Sequence, residues 1–221
     1  TPADARLRLA FRDLALAAGP ARISGLSGAV DLTSFSPLLA PEVQQVTGEV
    51  SLDTRAATHF ELDFRLTRGG AEIENLKFAF AGGTVATGPI VPAGTDLALA
   101  VTLSDLDLAA LTRQFEIEGL TANGRLSGRA SLSFDPGVFA IEDATLSAVT
   151  PGSLRYLGPA VSAQYRHQPE AAARMMRALD GFDYSALRLL LAKPDRGAGA
   201  LRVELDGANP LVLDGHPFEL D

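Results

Sequence analysis

The chain has no cysteine and no tryptophan, and its 221 residues include only two methionines and three histidines. Without thiols there can be neither a disulfide framework nor a thiolate zinc site. His59, His167 and His216 stand far apart and fit no His-x-x-x-His or His-x-x-Glu-His spacing, so the sequence offers no metal-hydrolase ligand set. The paired glycines of "FRLTRGGAE" and "FAFAGGTV" belong to no Gly-x-x-x-x-Gly-Lys-Ser/Thr phosphate loop and read as hairpin turns. Positive charge is scarce too. Nineteen Lys and Arg against 27 Asp and Glu give a formal net charge of -8, with the basic residues scattered, which argues against a nucleic-acid partner. No run approaches ~18 consecutive apolar residues, the length a membrane-spanning helix needs. No charged stretch leads into an apolar one as in a signal peptide. The opening "TPADARLRL", without Met, and the close on "HPFELD" in mid-alternation read as an excerpt of a longer protein.

What the chain does have is alternation. It is 47% hydrophobic and 21% charged, a globular composition, and apolar residues recur with period two along most of its length. In "GLTANGRLSGRASLSF" (119–134), Leu120, Ala122, Leu126, Ala130, Leu132 and Phe134 share one parity, and Arg125, Arg129, Ser131 and Ser133 take the other. Leu7, Leu9 and Phe11 oppose Arg6, Arg8 and Arg12; the parity then slips to Leu14 and Leu16, which predicts a bulge near Arg12–Asp13. "THFELDFRL" sets Phe60, Leu62, Phe64 and Leu66 against His59, Glu61, Asp63 and Arg65, and "AEIENLKFAF" adds Phe78 and Phe80 before a turn at Gly82–Gly83. Leu97, Leu99, Val101 and Leu103 follow, and near the end come Leu201, Val203 and Leu205, then Phe218 and Leu220 against Glu219 and Asp221.

Helical signals are few. Leu106–Phe115 reads as one or two turns joining strands. "HQPEAAARMMRALDG" reads as the one full helix, with Pro169 at its first position, Gly181 past its end and an apolar stripe of Ala172, Met175, Met176 and Leu179. No linker-like tract divides residues 1–221, so one domain is expected. Acidic pairs such as Asp105 and Asp107, Glu116 and Glu118, or Glu142 and Asp143 could serve a polysaccharide-active enzyme. On alternating strands they read as the wet face, and the aromatic platforms of a sugar site are missing. No catalytic residue, metal ligand or cofactor motif is assigned. A mainly-β antiparallel meander whose apolar face needs a cover fits the pattern. That cover is a second sheet, closure into a barrel, or a trough whose face is filled from outside. A purely structural or adhesive sandwich or solenoid segment stays open at this level.

Three stretches, "FAFAGGTVATGPIV", "DLDLAALTRQFEIEGLTANGRLSGRASLSF" and "IEDATLSAVTPGSLRY", together with "MMRALDGFDYSALRLLL", "GALRVELDGANP" and "GHPFELD", resemble the C-terminal region of the YdbH family, among the AsmA-like, bridge-like lipid-transfer proteins. The likeness covers roughly residues 35–221, with Gly152, Tyr156, Phe182, Tyr184, Leu187, Gly207, Asn209 and Pro210 in the family's pattern. It implies an elongated, twisted antiparallel sheet folded into a taco-like trough, with one short helix near the C-terminal end. It also implies passage of phospholipid acyl chains across the periplasm of a Gram-negative bacterium towards the outer membrane, in a protein anchored in the inner membrane. On that reading the groove is lined by Leu7, Leu9, Phe60, Leu62, Phe64, Leu66, Phe78, Phe80, Leu97, Leu99, Val101, Leu103, Leu126, Leu132, Phe134, Leu201, Val203 and Leu205. Phe218, Glu219 and Leu220 form an edge to which a small outer-membrane lipoprotein adds strands.

Overall fold

The computed structural model describes residues 6–18, 21–52, 58–90, 97–114, 118–135, 138–157, 179–194, 196–209 and 218–220. The alternating segments become β1 (Leu7–Ala18), β2 (Ala21–Leu32), β3 (Ser34–Phe35), β4 (Leu38–Leu52), β5 (Thr58–Thr67), β6 (Gly70–Phe80), β7 (Gly83–Thr87) and β8 (Leu97–Asp107). After α1 (Leu108–Gln114) come β9 (Leu120–Asn123), β10 (Arg125–Asp135), β11 (Val138–Ala148), β12 (Gly152–Tyr156), β13 (Asp180–Lys193), β14 (Ala200–Ala208) and β15 (Phe218–Leu220). The strands form one antiparallel sheet of 14, and the two-residue β3 pairs only with β4. The hydrogen-bonded order is β1-β2-β4-β5-β6-β7-β8-β10-β11-β13-β12-β9, with β14 on β13 and β15 on β14. Along one edge β13 pairs with β11 through Arg188–Lys193 and with β12 through Asp180–Tyr184.

The residues group into two compact units. In the first (Thr1–Phe80, Thr84–Val101 and Leu132–Phe139), strands β1, β2, β4, β5 and β6 pair in sequence order. Three of these strands bend at bulges: the register shifts between Phe11 and Leu14 in β1, Ser24 and Ser27 in β2, and Ala40 and Gln44 in β4. The bulge expected near Arg12–Asp13 is there, with Asp13 at φ 57° and its N–H donated to Ser27 Oγ at 3.1 Å. At the third bulge the buried Gln44 satisfies backbone the ladder leaves over. Its Oε1 accepts the Asp31 N–H and its Nε2 donates to the Glu42 carbonyl, both at 2.8 Å.

The second unit (Ala81–Gly83, Thr102–Ser131 and Ala140–Asp221) has the better-filled core: Leu106, Leu126, Phe182 and Tyr184 are essentially inaccessible to solvent. The Tyr184 hydroxyl donates to the Asn123 carbonyl at 2.6 Å, and Gly124 and Gly152 lie so close to that hydroxyl that any Cβ there would overlap it. The turn expected at the paired glycines falls at Ala81–Gly82, both at positive φ (46° and 72°), the pattern of a tight two-residue hairpin loop. β14 ends at Ala208, and the buried Asn209 donates through Nδ2 to the Asp180 carbonyl at 3.2 Å.

Two expectations are corrected. The sheet does not fold over into a trough: it is neither closed nor curled. Closure would need the end strands to bond each other, yet among the described residues β1 pairs only with β2 and β9 only with β12. The short helix lies mid-chain, not near the C-terminal end. It is α1, inside the Leu106–Phe115 segment; Asp107 Oδ1 caps it by accepting the Ala109 N–H at 2.9 Å, and Leu108, Leu111 and Thr112 form its buried side. The Pro169–Leu179 stretch lies outside the described residues except for Leu179, which is helical and buried.

Candidate functional site

The first unit carries an apolar groove of about 430 Å³, within the range of small-molecule sites. Phe60, Leu62, Phe64 and Leu66 of β5 form its centre, as their parity requires. On one side Val46 of β4, Ile23, Leu26 and Val30 of β2, and Phe11 of β1 continue it; on the other, Ala71 and Ile73 of β6 do. Every lining residue is apolar. The register explains the convergence: Leu62 faces Val46 and Leu76, Phe64 faces Ile73, Leu66 faces Ala71, and Val30 faces Leu9.

Charge is kept to the alternate positions of the same strands. Glu61 faces Lys77 and Arg65 faces Glu72 in register, with ion pairs Arg65–Glu74 at 2.7 Å and Lys77–Glu61 at 3.8 Å. These partly exposed pairs contribute at most about 1 kcal/mol each to stability. Their greater effect is to fix which face of β5 and β6 is wet, since a one-residue slip would bring the charges onto the groove side.

The residues expected to line a groove separate into several sets. Phe60, Leu62, Phe64 and Leu66 line it, Phe60 nearly buried and the others half-buried. Leu7 and Leu9 are exposed on β1, and Phe78 and Phe80 are half-buried on β6, where Phe78 faces Phe60. On β8, Leu99 and Leu103 are half-buried and Val101 is buried. Leu97 and Phe134 fall within β8 and β10, but their side chains lie outside the described ones. Leu126 and Leu205 are buried in the second unit, Leu132 and Val203 are half-buried, and Leu201 is exposed. Phe218, Glu219 and Leu220 make up β15, described as backbone, which pairs with β14 through Leu205–Leu220, Asp206–Glu219 and Gly207–Phe218. Phe11, Ile23, Leu26, Val30, Val46, Ala71 and Ile73 also line the groove and are not among the residues expected from the sequence. Gly25, at φ 62°, separates Ile23 from Leu26 and switches their parity, so a strict period-two count loses one or the other.

Burial pushes the Tyr184 phenol above the ordinary tyrosine pKa. Its hydroxyl bonds a backbone carbonyl inside the packed centre of the second unit, so its role there is structural.

The fold and groove define a β-sheet protein whose first unit carries an apolar surface, with the charges of β5 and β6 at the alternate positions. The chain belongs to the YdbH-like family, described as Intermembrane phospholipid transport protein YdbH, which matches residues 2–221. This is a lipid-transport family, not an enzyme family, and its task belongs to the bacterial cell envelope. Comparison with curated proteins and with solved structures gives no match.

Proposed function

We propose that the apolar face of β1, β2, β4, β5 and β6 carries the acyl chains of phospholipids in transit while their headgroups stay in water. The observation behind this reading is the groove itself: eleven lining residues from five strands, all apolar, in a member of a phospholipid-transport family. A 16-carbon chain gains roughly 12 kcal/mol on leaving water, at ~0.8 kcal/mol per CH₂. A passive surface that offers part of that gain at every step lets a lipid move without an aqueous crossing. The sheet works here as an open apolar shelf, one segment of a path across the periplasm of a Gram-negative bacterium towards the outer membrane, in a protein held at the inner membrane by elements outside this region.

At the far end, β15 pairs with β14 alone among the described residues, so its outer edge is available to further strands. A small outer-membrane lipoprotein that adds a strand there extends the sheet through backbone hydrogen bonds. Glu219 and Asp221, at the polar positions of that segment, discourage pairing with a second copy. Binding of a fluorescent-tailed phosphatidylethanolamine tests the acyl-chain reading. The wild-type chain is expected to bind it and Leu62→Asp to lose binding while its circular dichroism is unchanged; equal binding by both would refute the groove as the site.

A further inference from the structure

The two units contain the same small construction twice. Asp13-Leu14-Ala15-Leu16 and Asp105-Leu106-Asp107-Leu108 share a D-L-x-L pattern, and Leu26-Ser27-Gly28 and Leu126-Ser127-Gly128 are identical triplets. The geometry repeats with the letters. Asp13 and Asp105 both have φ 57°, a conformation few non-glycine residues adopt. The Asp13 N–H bonds Ser27 Oγ at 3.1 Å, and the Asp105 N–H bonds Ser127 Oγ at 2.9 Å, each across to the neighbouring strand. Gly28 is pressed against the Gln45 carbonyl and Val46, and Gly128 against the Thr145 carbonyl and Leu146. A shared positive-φ aspartate, shared anchoring serine and shared close-approach glycine mark β1–β2 and β8–β10 as copies of one module.

The copies differ in how far their leucines are exposed. In the first, Leu14 faces Leu26 and Leu16 faces Ile23 in register, so both leucines share the groove face, and they are 44% and 51% exposed. In the second, the equivalent Leu106, Leu108 and Leu126 are 1%, 6% and 0% exposed. The first copy passes from Ala18 to Ala21 between its strands. At the matching place the second carries α1, which packs against β9, buries Leu111, and is tied down where the Leu108 N–H donates to the Gly124 carbonyl at 3.1 Å.

We infer that α1, which begins at Leu108, occupies on the second copy the place an acyl chain takes on the first, so that Leu14, Leu16 and Leu26 contact lipid and Leu106 and Leu126 do not. The module was kept as a builder of apolar surface, and in the second unit the chain fills that surface with its own leucines. The inference rests on the acyl-chain reading above, and it adds lipid contacts beside the groove and a segment that is closed to lipid.

The test is photolabelling of the full chain with a phosphatidylethanolamine carrying a diazirine in one acyl chain, followed by peptide mass spectrometry. In the wild type, label is expected to be strong in peptides covering 7–32 and weak in those covering 102–131. Leu111→Ala, which removes the buried anchor of α1, should bring label into 102–131. Asp107→Ala, which removes only the cap, should raise label there roughly fivefold, the factor that loss of a capping hydrogen bond gives in a helix equilibrium; it serves alone if Leu111→Ala does not fold. Equal labelling of both segments in the wild type, or no rise at 102–131 in a folded variant, would overturn the inference and leave the acyl-chain reading standing. No label in either segment, nor in peptides covering 58–67, would overturn both.

Discussion

Replacing Tyr184 by Phe removes one oxygen from the centre of the second unit. The hydroxyl, on a side chain 1% exposed, donates at 2.6 Å to the Asn123 carbonyl. Losing a buried hydrogen bond and stranding its acceptor costs about 1–3 kcal/mol. With a urea dependence of about 3 kcal/mol per molar, the upper end of the usual range as suits a chain of this size, the denaturation midpoint should fall by about 0.3 to 1 M. Gly152→Ala attacks the same point from the other side: its methyl would overlap both the Tyr184 hydroxyl and the Asn123 carbonyl oxygen. Overpacking of this kind costs about 1–3 kcal/mol or more. Combining the two tells the causes apart. Deleting the hydroxyl relieves the first overlap and leaves the backbone one, so Tyr184→Phe should rescue Gly152→Ala only in part. Urea titrations followed by far-UV circular dichroism measure all four proteins. A Tyr184→Phe midpoint indistinguishable from wild type, or full rescue in the double variant, would refute this account of the packing.

The same phenol makes a pH prediction. Because burial raises the Tyr184 pKa above the ordinary value near 10, the unfolded chain gives up that proton first as the solution turns alkaline. Its contribution is therefore intact below about pH 10 and declines above it, and a plot of stability against pH should fall more steeply for wild type than for Tyr184→Phe. Leu62→Asp should keep the fold, since Leu62 is only half-buried, with a loss of about 1–3 kcal/mol by thermal denaturation; global unfolding at room temperature would show the face to be a closed core. Gly128→Ala should destabilise more than Gly28→Ala, because the first overlaps the Thr145 carbonyl whereas the second comes 2.7 Å from the Gln45 carbonyl and 2.9 Å from a movable Val46 methyl. The reverse order in urea midpoints would argue against equivalent glycines in the two copies.

Much of the ladder was legible because period two reports side-chain direction directly. The slip after Phe11 foretold the Asp13 bulge, and the Leu106–Phe115 segment foretold α1. What lies opposite an apolar face was not legible. Leu62 and Leu126 both sit on clean alternations, yet one lines an open groove and the other is sealed in a core. The difference comes from tertiary packing, which periodicity does not encode. Gly25 and the register shift opposite Phe64 broke the parity count and hid Ile23 and Ile73. Five of the positions that carried the family resemblance, Gly152, Phe182, Tyr184, Leu187 and Asn209, are packing residues of the second unit, while the residues facing the groove are a mixture of aliphatic side chains and phenylalanines with little pattern to recognise. The two copies of the D-L-x-L module escaped notice because α1 separates the second pair of strands and breaks the common spacing.

The central claim is that the first unit's open apolar face holds phospholipid tails. Native mass spectrometry of the chain purified from a Gram-negative host without detergent tests it most directly. The account predicts adducts with the masses of host phospholipids, reduced or absent in Leu62→Asp and retained in Tyr184→Phe. A wild-type protein that is folded and free of lipid, or adducts of equal intensity in Leu62→Asp, would contradict it.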